Sequence, residues 1–310
     1  MPRRPVRSLA QRNKRLEQPA STAARHRARR SLADPEPQSS TTTSRPARPA
    51  RLFTRVPGFN DFKSGSNITQ QQFLLFRTVI VKHDPVEFSA DLFDMGPQIA
   101  TARAFLQASD PFQVYIQAIA NNGFQGSGDF GPLRKQQMEV FEPDKDESPV
   151  NATFINLLQA IAEVGPAPHF SRWRHTKKRF RAFFGYGRGY EAITDGQLET
   201  YATNAIEAIV ECKSAARPGL GDRVDIQEAA QIVAWIKQHE TPANKRILVS
   251  QDDKEVFVTI AEYDSNWLRY LRGGRLDLTS VMQMHRYGPW KLEQSSHMEN
   301  LAEILLAITL

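Results

Sequence analysis

NAIEAIVECKS, residues 204–214, reads as a β-strand by its β-branched content and largely apolar character. Side chains alternate along a strand, so Glu211 and Lys213 share one face while Val210 and Cys212 share the other. A strand inside a sheet has no place for a lone charge, because burying one unpaired is costly. The pair is therefore a structural ion pair, a solvent-exposed strand end, or part of a site that handles a cation or anion. A Glu-x-Lys triplet alone does not choose among the three.

Downstream, DIQEAAQIVAWIKQ carries Ile226, Ala229, Ala230 and Val233 as an apolar stripe, with Asp225 and Glu228 at capping-box spacing. This predicts a helix packed on the sheet. RILVS and EVFVTIAEY read as two strands joined across QDDK, and SSHMENLAEILLAITL as a closing amphipathic helix with capping-box spacing at Ser296 and Glu299. Upstream, an acidic link, EPDKDESP, precedes VNATFINLLQAIAEVG, where Phe154, Leu157, Leu158 and Ile161 recur at helical spacing. The order from Val150 onward is helix, basic strands, strand, helix, strands, helix. It predicts an α/β fold, an α+β mixed sheet with helices on its faces, over residues 146–310. Residues 52–145 combine apolar runs such as FLLFRTVIV with helix-like stretches, and are expected to form a mostly helical N-terminal extension whose role no motif reveals.

The net charge of +6 is unevenly distributed: thirteen arginines and Lys14 against Glu17, Asp34 and Glu36 give residues 1–55 a charge of +11, leaving −5 for the rest. Residues 1–51 hold almost no large apolar side chains and are expected to be a disordered basic tail. Its RHRARR cluster (Arg25, Arg27, Arg29, Arg30) is of the nuclear-import type, with a mitochondrial or cytoplasmic address as the alternative. The single cysteine, Cys212, excludes an internal disulfide, and no apolar run is long enough for a membrane helix. The seven histidines show no ligand spacing, so zinc is not expected.

Sixteen residues before Glu211, YEAITDG places Asp195 just after a short apolar strand and beside a glycine. An adjacent antiparallel strand could bring Asp195 next to Glu211. Two carboxylates at a strand end make a hard-oxygen site suited to Mg²⁺ or Mn²⁺, and a lysine beside them could orient a water and steady the charge of a phosphorane. The implied chemistry is phosphodiester hydrolysis.

The series ITDG (193–196), ECK (211–213), QEAAQ (227–231), SQD (250–252), AEYD (261–264) and GPW…HM (288–298) resembles the PD-(D/E)xK nuclease superfamily, in particular its fungal nuclease-like proteins. The resemblance covers about residues 150–310 and implies a restriction-endonuclease-like core, a four-stranded mixed sheet flanked by helices. It assigns Asp195 and Glu211 to the metal and Lys213 to catalysis. Gln231 and Trp235 match a Gln-x-x-x-Tyr element on the supporting helix, with Trp in place of Tyr, and Thr194 replaces the usual proline of the first motif. Glu163 is a candidate for the additional metal-binding acid that many members use, against a solvated helix position.

Arg172, Arg174, Lys177, Lys178, Arg179 and Arg181 are interleaved with Trp173, Phe180, Phe183 and Phe184. Cations among aromatics suit nucleic acid, DNA ahead of RNA, and six phosphate contacts would give a salt slope of roughly −5 on duplex. The alternative is a solvated strand whose aromatics fill the core. GYGRGY (Gly185, Gly187, Gly189) lacks the strand-loop-helix context of a phosphate loop and reads as a turn. For the whole chain the rival to a metal-dependent nuclease is a nuclease-fold module without turnover, a nuclear nucleic-acid or protein-binding protein.

Overall fold

A computed structural model describes residues 63–142, 146–185, 188–239, 244–275 and 277–310. The basic tail with its import-type cluster, the middle of the acidic link and part of GYGRGY lie outside the described residues. In chain order the strands are β1 (Lys63–Ser64), β2 (Thr78–His83), β3 (Ser171–Arg174), β4 (Lys178–Phe183), β5 (Gly189–Thr194), β6 (Gly196–Thr200), β7 (Ile206–Lys213), β8 (Lys245–Asp252), β9 (Glu255–Glu262) and β10 (Met282–Lys291). The helices are α1 (Gln70–Leu75), α2 (Gly96–Ala108), α3 (Asp110–Ala120), α4 (Phe130–Val140), α5 (Glu147–Ala162), α6 (Arg217–Leu220), α7 (Asp222–Gln238), α8 (Ser265–Leu271) and α9 (Ser295–Ala307).

Seven strands form one mixed sheet in the order β2-β10-β9-β8-β7-β6-β3, and β1-β5-β4 form a second, small sheet. Within the large sheet β7 and β8 run parallel, connected across α7, while β3, β6 and β7 are an antiparallel series. The alternation of β7 sorts its residues between two cores. Ala208, Val210 and Cys212 join α5 and α9 on one face, and Ile209 joins α7 on the other. Glu211 and Lys213 therefore face α7. The small sheet covers the outer side of α7, where Tyr190 donates a hydrogen bond to the Ala230 carbonyl (2.8 Å) and Phe180 stacks on Trp235.

Both helix starts that the capping-box spacing suggested lie elsewhere. α7 begins three residues before Asp225, and Asp225 and Glu228 are drawn instead to Arg217 and Arg286. α9 begins at Ser295 without a side-chain cap. The expected extension over 52–145 is not a separate layer either. β2 extends the large sheet beside β10, and Leu106, Phe112 and Phe130 share one core with Leu301 and Leu305. The described residues form one compact unit.

Candidate active site

The chain changes sheets twice at nearly the same place. β5 lies in the small sheet and β6 in the large one, with only Asp195 between them. β3 and β4 make the same change across His175–Lys177, so Lys177 arrives beside Asp195 at 3.1 Å (Nζ to Oδ1). Gly196 makes the crossing possible: a Cβ there would stand 2.6 Å from both the Arg174 carbonyl and Ile155 Cδ1. This is the physical content of the glycine after Asp195.

Asp195 (6% exposed) is held by its Oδ2, which accepts from the Cys212 amide at 3.0 Å, and by the Asn151 side chain, which donates to its carbonyl at 3.3 Å. One residue on either side of Cys212, Glu211 and Lys213 turn to the α7 face. The Lys213 ammonium donates to Glu211 Oε1 at 2.5 Å and to the Cys212 carbonyl at 3.0 Å, and lies 3.5 Å from Glu147 Oε2. Glu211 (2% exposed) also accepts from Gln227 and Gln231, which stand four residues apart on one face of α7. Gln231 in addition donates to the Ile193 carbonyl at 2.9 Å, tying β5 to the site. Beyond Asp195 a cleft of about 300 Å³ opens, walled by Glu147, Asn151, His175 and Lys177.

Burial first, and the neighbouring Asp195 charge second, push Glu211 up to about 8, against Lys213 and Gln231. Burial alone would lower Lys213, but Glu211, Glu147 and Asp195 outweigh it, and the ammonium is held above its ordinary value. The hydrogen bond to Asp195 likewise raises Lys177. Glu211 is thus the member of the pair whose charge is unfavourable, and Lys213 keeps its proton. Burial and the flanking carboxylates raise the Cys212 thiol, which makes it a packing residue and not a nucleophile.

Hard-oxygen donors are present in Asp195, Glu211 and the Cys212 carbonyl, although Glu211 is already heavily engaged and no three His, Cys, Asp or Glu side chains converge among the described residues. A cation that keeps several waters and uses one or two carboxylates fits this set; one needing a full protein cage does not.

Glu163 takes no part. It caps the C-terminal end of α5, is exposed, and meets His169 at 3.4 Å, whereas the acid at the cleft is Glu147 at the other end of the same 16-residue helix, about 24 Å away at 1.5 Å per residue. Trp235 also stays outside the site. One turn beyond Gln231, it packs against Phe180 with the Arg246 guanidinium 4.7 Å from its ring centroid.

The basic segment is largely paired. Arg174 and Lys178 approach Glu199 at 3.0 and 3.9 Å, Arg179 and Arg181 approach Glu191 at 2.8 and 2.6 Å, and Lys177 belongs to Asp195. Arg172 lies over the Tyr201 ring at 5.0 Å. Trp173 and Phe180 are core residues, as a solvated strand would have them, while Phe183 is exposed.

Sequence reading missed Glu147, Asn151, Gln227 and a charge network beside the site. Only the Gln-x-x-x-Gln spacing was a usable signal for Gln227. In the network Arg217 donates to Asp252 (2.6 Å), Glu228 (2.5 Å), Asp225 (3.0 Å) and Ser250 (3.1 Å), and Arg286 reaches Asp225. Ser250 and Asp252 lie directly across from Glu211 and Lys213 in the parallel β7–β8 register. Set against known protein families and against curated proteins, the chain matches none of either.

Proposed function

We propose that this protein is a metal-dependent nuclease with a restriction-endonuclease-like core, formed by β3, β6, β7 and β8 between α5 and α7. The observation that carries the reading is the buried Glu211 carboxylate, paired with the Lys213 ammonium and within reach of the charge of Asp195, which itself lines the cleft. A carboxylate whose ionisation the fold opposes is one that a divalent cation would relieve. Asp195, Glu211 and the Cys212 carbonyl would hold Mg²⁺ or Mn²⁺, which when bound would polarise a phosphate oxygen and acidify a water.

Lys213 acts as a donor and not as a base, since its surroundings hold it protonated. Two of its three N–H groups go to Glu211 and the Cys212 carbonyl, and the third is left for the Glu147 side, where it meets charge building on the phosphoryl oxygens. Glu147, at the cleft, would take a proton from an attacking water as the water oxygen bonds to phosphorus, and the leaving oxygen would depart as its own bond to phosphorus breaks and be protonated from solvent. Gln227 and Gln231 fix the orientation of Glu211.

A second reading keeps the fold and discards turnover. It is favoured by the full set of hydrogen bonds already on Glu211 and by the lack of a three-ligand cluster among the described residues. The discriminating experiment is incubation of the full chain with single- and double-stranded DNA and RNA in Mg²⁺, Mn²⁺ or EDTA, beside Lys213→Ala and Asp195→Ala. Metal-dependent cleavage by the parent and none by either variant is the expected result. Metal binding without cleavage selects the second reading, and a melting temperature indifferent to metal reduces the pair to an ion bridge.

A further inference from the structure

The cleft at Asp195 does not end at the candidate site. Its wall includes Asn156, and Asn156 also lines a second cleft of about 500 Å³ that continues along α5 toward Tyr201. Asn156 is the α5 residue common to both clefts, with Asn151 in the first and Gln159 in the second, in that order toward the helix C-terminus. Across the second cleft α4 contributes Gln136, which accepts from the Asn156 side chain at 2.8 Å, and β3 contributes Arg172 and Trp173. Its outer end is Tyr201, a ring 49% exposed.

The chemistry of this path is unlike that of the basic segment. It presents amides and an exposed ring, and behind them lie two buried N–H groups, Arg172 Nε and Trp173 Nε1, that find no hydrogen-bond partner among the described residues. Its charges do not favour phosphate: Asp129 and Glu163 stand in the same walls as Arg172. Amides and carboxylates recognise base edges, and a ring recognises a base face. In duplex the faces are stacked and the pairing edges occupied, so a lining of this kind is useful only to a strand whose bases are free.

We infer that the α5 path binds one unpaired nucleic-acid strand with its bases turned inward, stacking at Tyr201 and leading its backbone to Asp195. The inference rests on the nuclease reading for its direction, since the candidate site is where the strand would be cut. Arg172 holds the Tyr201 ring for the first stacked base. Asn156 and Gln159 donate one N–H each to Gln136 and to the Trp173 carbonyl (2.9 Å), and their second N–H and their oxygens address the edges of the bases between.

The test titrates the full chain, in EDTA so that nothing is cut, into labelled 20-mers of single-stranded DNA, single-stranded RNA and duplex DNA. Tyr201→Ala and Asn156→Ala change exposed side chains and leave the fold intact. Tyr201→Ala is expected to weaken single-strand binding roughly tenfold, in line with loss of one stacked base, Asn156→Ala roughly threefold to tenfold, in line with loss of one neutral hydrogen bond, and both to leave duplex binding within twofold. A 5-bromouracil single strand irradiated on the parent protein is expected to crosslink within 156–173 or at Tyr201. Unchanged single-strand affinity in both variants, or crosslinks confined to other segments, overturns the path. With crosslinks at Tyr201 and no cleavage in any metal, the path stands and the nuclease reading falls. With cleavage intact and crosslinks elsewhere, the reverse holds.

Discussion

Glu211 determines how the site responds to pH. With no metal bound, a carboxyl raised from 4.5 to about 8 stabilises the fold fully below pH 4.5, and that contribution is lost as pH rises through 8. Asp252 behaves in the same sense: burial, reinforced by Glu228 and opposed by Arg217, pushes it up to about 7. The protein in EDTA is therefore expected to lose melting temperature between pH 5 and 8.5, each group contributing on the order of 1.4 kcal/mol for every tenfold difference in its proton affinity between the folded and unfolded chain. Glu211→Gln is expected to flatten the upper part of that slope, and Mg²⁺ to do the same in the parent by competing with the proton. Thermal scans across this range with EDTA and with Mg²⁺ check both, and a parent slope unaffected by Glu211→Gln removes the cause assigned here. Glu211 and Lys213 were legible as a pair in the sequence because strand alternation puts them on one face. Their state of charge was not, since it depends on Asp195, Gln227 and Gln231, which other elements deliver.

At the scale of elements, α7 serves two functions with adjacent stripes. Gln227 and Gln231 orient Glu211, and Asp225 and Glu228 bind Arg217 and Arg286. Removing both amides with Gln227→Ala and Gln231→Ala is expected to weaken Mn²⁺ binding about 10- to 100-fold, the usual effect of losing groups that orient a ligand, and to lower the melting temperature, because Gln231 is buried and its loss unpairs Glu211 and the Ile193 carbonyl. Calorimetric titration measures the binding. Arg217→Ala takes the nearest cation from Glu228 and Asp252, Asp225 keeping Arg286, and is expected to cost about 3–5 kcal/mol in urea unfolding. β4 shows what composition leaves out. Its cations looked like a phosphate-binding row, but Arg179 and Arg181 share Glu191, so replacing both with alanine should reduce the salt slope of DNA binding by about 1, not 2. A reduction of 2 would mean that Glu191 does not neutralise them. The pairing was invisible in the sequence because Glu191 is ten residues from Arg181 and meets it only through the β4–β5 register.

For the whole molecule, the apparent boundary near residue 145 dissolves. β2 completes the sheet beside β10, and the Trp267 indole and Tyr270 hydroxyl donate to the Phe76 and Leu75 carbonyls at 2.8 Å each. Residues 146–310 produced alone are expected to be molten or insoluble, and the full chain to unfold in one transition by both fluorescence and circular dichroism; two separated transitions would restore the boundary. What the sequence determined by itself was local: the period of α5, α7 and α9, the alternation of β7, the hairpin between β8 and β9, and Asp195, Glu211 and Lys213 as candidates. These follow from neighbours a few residues apart, where backbone geometry alone decides which side chains share a face. The tertiary structure decided the rest: that Glu147 and not Glu163 reaches the cleft, that Gln227 belongs to the site and Trp235 to the core, and that the basic segment is paired. Each depends on which end of an element abuts which strand, and that is settled by burying the two core faces of the sheet together, not by spacing along the chain.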